Sequence, residues 1–368
     1  MRMTAIVAAV LFLVATNIPY VGWAKGVTDS LSYKTEDVHF CNADSSICFG
    51  GTLLLPDSTR KNPVVIFVSG TGKQDRDGTM AGHKMFKTIA GYLASRGIAS
   101  LRTDDRGVGE TSGDYAKSTT ADFADDVITA IAYLKSRADI DPQNIGLIGH
   151  SEGGAVISIA AAKSNDVAFL VSLAGLATNG FEALKKQNEV LVEKSDLPDY
   201  DKKRAGEINT LMFETAYRYA YSDSLGQKLN ENYERWKKKD DEYVKRLNIQ
   251  NDHFRFSIYG YTKEATSPWY RYFIRYQPDK FLSKVRIPVL ALNGDKDIMV
   301  DCKENLAHWK RYLQKAGNKD VTVMVLPGLN HLFLPCKTCT QEEYSHLKEH
   351  FSPKALQTIG DWIVSHVQ

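Results

Sequence analysis

The residues best placed to do chemistry are Gly149-His150-Ser151-Glu152-Gly153, a G-x-S-x-G pentapeptide. An apolar run, 145–148, stands directly before it, and a small-residue run, 153–162, directly after it. The sequence therefore predicts strand, turn and helix in that order. A sharp strand-to-helix turn throws a serine hydroxyl clear of the sheet edge, and glycines two residues to either side tolerate the crowding there. A serine hydroxyl is a weak nucleophile at neutral pH and needs a base, which in turn needs an orienting acid. Two loops follow in the order acid, then histidine. Asn293-Gly294-Asp295-Lys296-Asp297 comes after the apolar run 289–292, and Pro327-Gly328-Leu329-Asn330-His331 after the run 321–326. His331 is the expected base. Asp295, Asp297 and Asp301 compete for the acid, and Asp297 is favoured because Gly294 sets a turn before it; Asp295 is expected to cap the loop or bind backbone. Acyl transfer also needs donors for a developing oxyanion. The expected donors are the backbone N–H of Glu152 and that of Thr71, with Gly70 or Gly72 as alternatives in the loop Ser69-Gly70-Thr71-Gly72. That loop is no phosphate cradle, since Lys73 is followed by Gln74 rather than Ser or Thr.

These loops need a scaffold that gathers them. Short apolar strand runs at 64–69, 98–102, 145–148, 168–173, 289–292 and 321–326 alternate with helical patterns at 80–95, 121–136, 153–162, 303–315 and 353–367. Such alternation means βαβ units and a parallel sheet covered by helices. The candidate loops then lie at strand C-termini on one edge, where open α/β sheets place their sites. From about 180 to 280 no strand run appears. Charged helical stretches such as 227–245, with scattered aromatics including Trp236, Trp269 and Tyr270, predict a helical insertion. The expected division is a core of 25–179 and 281–368 with an insertion at 180–280.

Six ordered motifs carry a family resemblance. They are residues 69–77 (SGTGKQDRD), Gly82-His83-Lys84, residues 104–109 (DDRGVG), residues 146–154 (GLIGHSEGG), residues 294–297 and residues 328–331. Together they resemble the bacterial α/β-hydrolase esterases grouped with serine aminopeptidase-like and prolyl-oligopeptidase-like hydrolases. The resemblance runs from about residue 50 to the C-terminus and is weakest across the insertion. It implies an α/β-hydrolase fold with a helical lid, a triad of Ser151, Asp297 and His331, and carboxylesterase activity on short acyl chains. It implies no metal and no organic cofactor.

Other charged motifs have structural readings. Arg106 is expected to form an internal ion pair, with Asp75, Arg76 and Asp77 as its neighbours in that network. His83 is more often packing than pocket, and the aromatics of 267–270 serve packing or an acyl pocket equally. His150 is expected to pack under the turn.

Composition sets the outer bounds. Of 368 residues 43% are hydrophobic and 24% charged, which leaves material for a sizeable core. A net charge of +2 without a basic domain excludes nucleic acid as an expected partner, and a small-molecule ester is expected instead. Arg2, the apolar run 5–15 and Ala24 read as a signal peptide cleaved after residue 24, too short for a confident membrane span. Export, periplasmic or secreted, makes disulfides expected among Cys41, Cys48, Cys302, Cys336 and Cys339. Cys41 and Cys48 flank a turn and are expected to pair; Cys336-Lys337-Thr338-Cys339 has no second C-x-x-C to complete a zinc site. Within this frame a peptidase or amidase, a thioesterase and an inactive binding homologue stand as alternatives to the esterase.

Overall fold

The computed structural model describes residues 33–56, 60–348 and 350–367. The expected signal peptide, 1–24, lies outside the described residues. The described chain forms two compact units. The larger comprises 33–115, 121–177 and 278–367, and the smaller 116–120 and 178–277.

The larger unit is built on one eight-stranded sheet. Its strands are β1 (Tyr33–Cys41), β2 (Cys48–Pro56), β3 (Asn62–Val68), β6 (Ala99–Thr103), β7 (Ile140–His150), β8 (Phe169–Leu173), β9 (Val289–Gly294) and β10 (Val321–Leu326). A two-stranded ribbon, β4 (Thr79–Met80) with β5 (His83–Lys84), stands apart. The helices are α1 (Met85–Ser95), α2 (Thr120–Lys135) and α3 (Gly153–Lys163), followed after the smaller unit by α9 (Asp279–Leu282), α10 (Cys302–Lys315), α11 (Gln341–Tyr344) and α12 (Pro353–Val364). The strand order is β1-β2-β6-β3-β7-β8-β9-β10. All neighbours from β6 to β10 pair in parallel, and β2 runs antiparallel to both β1 and β6.

The central strands are apolar on both faces because helices cover both. Val64, Val65, Leu147, Val171 and Leu290 are all inaccessible to solvent. β10 closes one edge and leaves Met324 and Val325 exposed. The β1–β2 hairpin closes the other and carries the Cys41–Cys48 disulfide across its turn. The helical pattern read at 80–95 begins later than expected. Ala81 and Gly82 both take positive φ and turn the β4–β5 ribbon, so the helix starts only at Met85.

The smaller unit is helical: α4 (Gly180–Lys194), α5 (Asp199–Tyr219), α6 (Leu225–Arg246), α7 (Ile258–Ala265) and α8 (Pro268–Ile274). Among the described residues no helix of either unit is long and apolar enough to cross a membrane. Asn179, Ser257 and Ser267 cap α4, α7 and α8 by accepting backbone N–H bonds. A buried ion cluster holds the unit together. The Arg204 guanidinium on α5 meets Asp240 of α6 at 2.6 and 2.8 Å, Asp201 at 2.7 Å and Asp252 at 2.8 and 2.9 Å, and lies over the Phe254 ring. Removing one partner from a buried ion cluster leaves uncompensated charge, at about 3–5 kcal/mol. Arg204→Met is therefore expected to destabilise this unit by about that amount, with faster amide hydrogen exchange in α5 and α6 and unchanged exchange in β7 and β8. Unchanged protection in α5 and α6 would refute the assignment.

Candidate active site

Ser151 follows β7 and precedes α3, and takes φ 54°, in the left-handed region that non-glycine residues rarely adopt. The turn is held by Ser151 N–H donating to the Leu173 carbonyl at 3.1 Å, and by the Ser151 carbonyl accepting from Gly154 and Leu176. Room for it exists only because its neighbours lack side chains. A Cβ on Gly153 would fall 2.4 Å from the Val68 carbonyl oxygen, and one on Gly70 would fall 2.9 Å from Ser151 Cβ. The loop after β3 therefore runs directly against the serine.

His331 and Asp297 stand in the loops after β10 and β9. His331 Nδ1 and Asp297 Oδ2 are 2.8 Å apart. A carboxylate can only accept, so Nδ1 carries the proton and Nε2 is left as the acceptor. The Asp297 side chain is fully buried, and its lone pairs are taken up. Oδ1 accepts from the N–H groups of Met299 and Val300 at 2.8 and 3.0 Å; Oδ2 accepts from Asn293 at 3.3 Å as well as from His331. Asp295 instead accepts the Gly328 N–H at 2.6 Å and ties the two loops together. Asp301 caps α10 through the Glu304 N–H. The structure thus brings Asp297 to His331 and turns the other two aspartates elsewhere; it records no hydrogen bond from the Ser151 hydroxyl to His331.

The histidine loop is fixed from several sides. The Asn330 side chain accepts from the N–H groups of Leu332 and Leu334. His150 Nε2 donates to the His331 carbonyl at 3.0 Å, and the two rings lie 4.6 Å apart. The residue before the serine therefore does more than pack under the turn: it grips the backbone of the candidate base. Further on, Cys336 and Cys339 form a disulfide, and Glu343 accepts the N–H groups of Lys337 and Cys339. Cys302 is a free thiol. Among the described residues no group of His, Cys, Asp and Glu has the makings of a metal site.

Of the candidate oxyanion donors, Gly72 N–H is engaged by the Tyr115 hydroxyl at 2.7 Å, which leaves Thr71 and Gly70 in that loop. The Thr71 hydroxyl donates to Glu152 Oε2 at 2.8 Å, so side chains already link the two segments that carry the expected donors. A cavity of about 50 Å³ opens beside Ser69 and Gly70, lined also by Asp105, Tyr115, Phe67 and Phe123.

The remaining charges are structural, and one differs from expectation. Arg106 pairs with Asp126 on α2 through two 2.7 Å bonds, not with the 75–77 segment. Arg76 instead holds Asp104 and Glu110, and Asp77 binds Arg102. His83 Nε2 bonds the Tyr344 carbonyl at 2.9 Å.

Residues 63–335, more than half of the chain, match the alpha/beta hydrolase fold family. An esterase of Thermotoga maritima, EstD, is 25% identical over 315 residues, which cover 85% of this chain and 65% of that protein. An uncharacterised 31.7 kDa protein of Escherichia coli is 28% identical over 140 residues, 38% of this chain and 46% of its own length. The chain thus spans less than two thirds of either relative. Among solved structures, an esterase of Pyrococcus furiosus superposes with TM-score 0.56 at 14% identity, over 95% of this chain and 97% of its own. The alpha/beta hydrolase GrgF of Penicillium does so with TM-score 0.54 at 18% identity, over 90% of this chain and 99% of its own.

Two titratable groups make the larger unit sensitive to pH in opposite directions. Burial, with His331 close by, pushes His150 down to about 3 from 6.5. Unfolded His150 takes a proton below about pH 6.5 and the folded ring refuses it, so its stabilisation is lost as pH falls, at about 1.4 kcal/mol per unit. Burial pushes Asp105 up to about 7 from 3.8, against the Ser69 and Gln74 hydrogen bonds and with the aid of Glu152 and Asp104. Folded Asp105 keeps its proton where the unfolded carboxyl releases it, so its contribution is complete below 3.8 and is lost as pH rises to about 7. Between roughly pH 4 and 6.5 the slopes oppose. Asp105→Asn removes one of them. Its unfolding free energy relative to wild type is expected to climb with pH across that window by about 1 kcal/mol per unit, read from urea melts. A pH-independent difference would refute this.

In sequence match, strand order and the position of the serine turn, the chain belongs to the α/β-hydrolase fold family.

Proposed function

We propose that the protein is a serine carboxylesterase acting on short-acyl esters. The observation that carries the reading is the 2.8 Å His331–Asp297 hydrogen bond, which points a basic Nε2 away from the acid in a loop held to the serine turn by His150. In the proposed reaction Ser151 Oγ attacks the ester carbonyl carbon and passes its proton to His331 Nε2. The carbonyl oxygen gathers negative charge against the N–H groups of Thr71 and Glu152. Collapse breaks the C–O bond, and His331 returns the proton to the departing alcohol. Water, deprotonated by the same nitrogen, then attacks the acyl carbon; the bond to Ser151 Oγ breaks, His331 returns the proton to that oxygen, and the acid leaves. Asp297 keeps the imidazole in the productive tautomer and stabilises its cation.

The esterase names of the Thermotoga relative and the Pyrococcus structure support the choice of ester over amide. We propose that the helical insertion acts as a lid that selects the acyl chain, a role that rests on the family resemblance. An exported, oxidising location is proposed in keeping with the two disulfides.

The test is hydrolysis of p-nitrophenyl esters from acetate to decanoate by wild type, Ser151→Ala and Asp297→Asn. Wild type is expected to favour the short chains. Ser151→Ala is expected to lose about 10⁴-fold or more in kcat, and Asp297→Asn about as much through the wrong tautomer. Wild-type protein inert on every ester but active on aminoacyl anilides would replace the esterase by an amidase. Full activity in Ser151→Ala would remove the mechanism altogether.

A further inference from the structure

The Ser69–Gln74 loop passes against Ser151, and one half-buried side chain holds both of its ends. Asp105, just after β6, accepts the Ser69 hydroxyl on Oδ1 at 2.6 Å and the Gln74 N–H on Oδ2 at 2.8 Å. Its own N–H donates to the Gln74 carbonyl at 3.1 Å, so residues 74 and 105 exchange bonds in both directions. Between the two tied ends stand Gly70, packed on Ser151 Cβ, and Thr71, bonded to Glu152. The charges around Asp105 are accounted for: Asp104 is held by Arg76, Arg106 is turned to Asp126, and Glu152 takes the Thr71 hydroxyl.

We propose that Asp105 is a positioning residue: by clamping the loop at Ser69 and Gln74 it fixes where the backbone N–H groups of Gly70 and Thr71 stand relative to Ser151. Oxyanion donors act only within a few tenths of an ångström of the right place, so a loosened loop loses transition-state binding and not substrate binding. Hydrogen-bond geometry, rather than charge, is what the clamp supplies. An asparagine keeps it, since its oxygen accepts from Gln74 and its amide donates to the Ser69 hydroxyl; an alanine abolishes it.

The catalytic consequence rests on the esterase reading, so two measurements are made on wild type, Asp105→Ala and Asp105→Asn. Amide hydrogen exchange needs no substrate. Asp105→Ala is expected to speed exchange in residues 70–76 at least tenfold while β7 and β8 keep their protection, and Asp105→Asn to stay near wild type. With p-nitrophenyl acetate and a trifluoromethyl ketone inhibitor, Asp105→Ala is expected to lose about 10- to 100-fold in kcat per titrated site. Inhibitor affinity should fall in step and KM move less than threefold, while Asp105→Asn recovers kcat to within about fivefold. Unchanged exchange in 70–76 overturns the clamp. Faster exchange with unchanged kcat, or an asparagine variant as poor as alanine, overturns its positioning role. A wild type inert on esters defeats the esterase reading, and the exchange result then still decides the clamp.

Discussion

Backbone crowding around Ser151 constrains everything else in the larger unit. A left-handed serine between a strand and a helix demands that the end of β3, the start of α3 and the loop after β3 all approach within van der Waals distance of one point. Strain of this kind costs about 1–3 kcal/mol and persists only where the surroundings over-determine it. Here they do. The Ser151 N–H and carbonyl are both bonded into neighbouring segments, and residues 145–150 of β7, which lead into the turn, and the whole of the adjacent β8 are buried. The sheet supplies the rigidity and the glycines supply the space; neither suffices alone.

The acid and the histidine are then located relative to that point by polar side chains rather than by chain path. Asn293 at the end of β9 donates to Asp297 and accepts from Asn305 on α10. Asn305 also donates to the Gly175 carbonyl and accepts the Ala177 N–H, while Trp309 donates to Gly175 from one turn further along. Gly175 belongs to the segment that follows β8, whose Leu176 bonds the Ser151 carbonyl. One helix therefore holds the acid loop and the serine's neighbour at once. A buried network of this type is stabilising only when its members find partners, and the Asp297 lone pairs, the Asn305 amide and the Trp309 N–H all do.

The parts legible in the sequence are those with a periodic or positional signature. The serine turn, the two loops bearing Asp297 and His331, and the parallel core could be read because each loop directly follows a solid apolar run, and parallel topology sends such loops to one edge. Bond partners carry no such signature. Arg106 has acidic residues close by in sequence, yet pairs with Asp126 on α2, twenty residues further on; three-dimensional proximity outranks sequence proximity. The β4–β5 ribbon was hidden because its residues fit a helical pattern, and only the positive φ at Ala81 and Gly82 separates it from α1. His150 reads as packing in the sequence because a packing role and a backbone-holding role look alike from spacing alone. Its donation to the His331 carbonyl depends on two loops nearly two hundred residues apart.

For the proposed reaction, carboxyls near the serine raise an electrostatic question, because a transition state that develops negative charge is hindered by fixed anions nearby. Three of them, Asp104, Asp297 and Asp105, meet it in different ways. Asp104 is neutralised by the Arg76 guanidinium. Asp297 faces His331 at 2.8 Å, and in the proposed reaction it balances the imidazolium. Asp105 makes no ion pair among the described residues, and burial shifts it instead toward the protonated form. A carboxyl that is half neutral near pH 7 keeps two strong hydrogen bonds to the loop while adding less charge than an ordinary aspartate would. That combination suits the proposed positioning role, in which Asp105 holds donors in place without opposing the charge they stabilise in the proposed reaction.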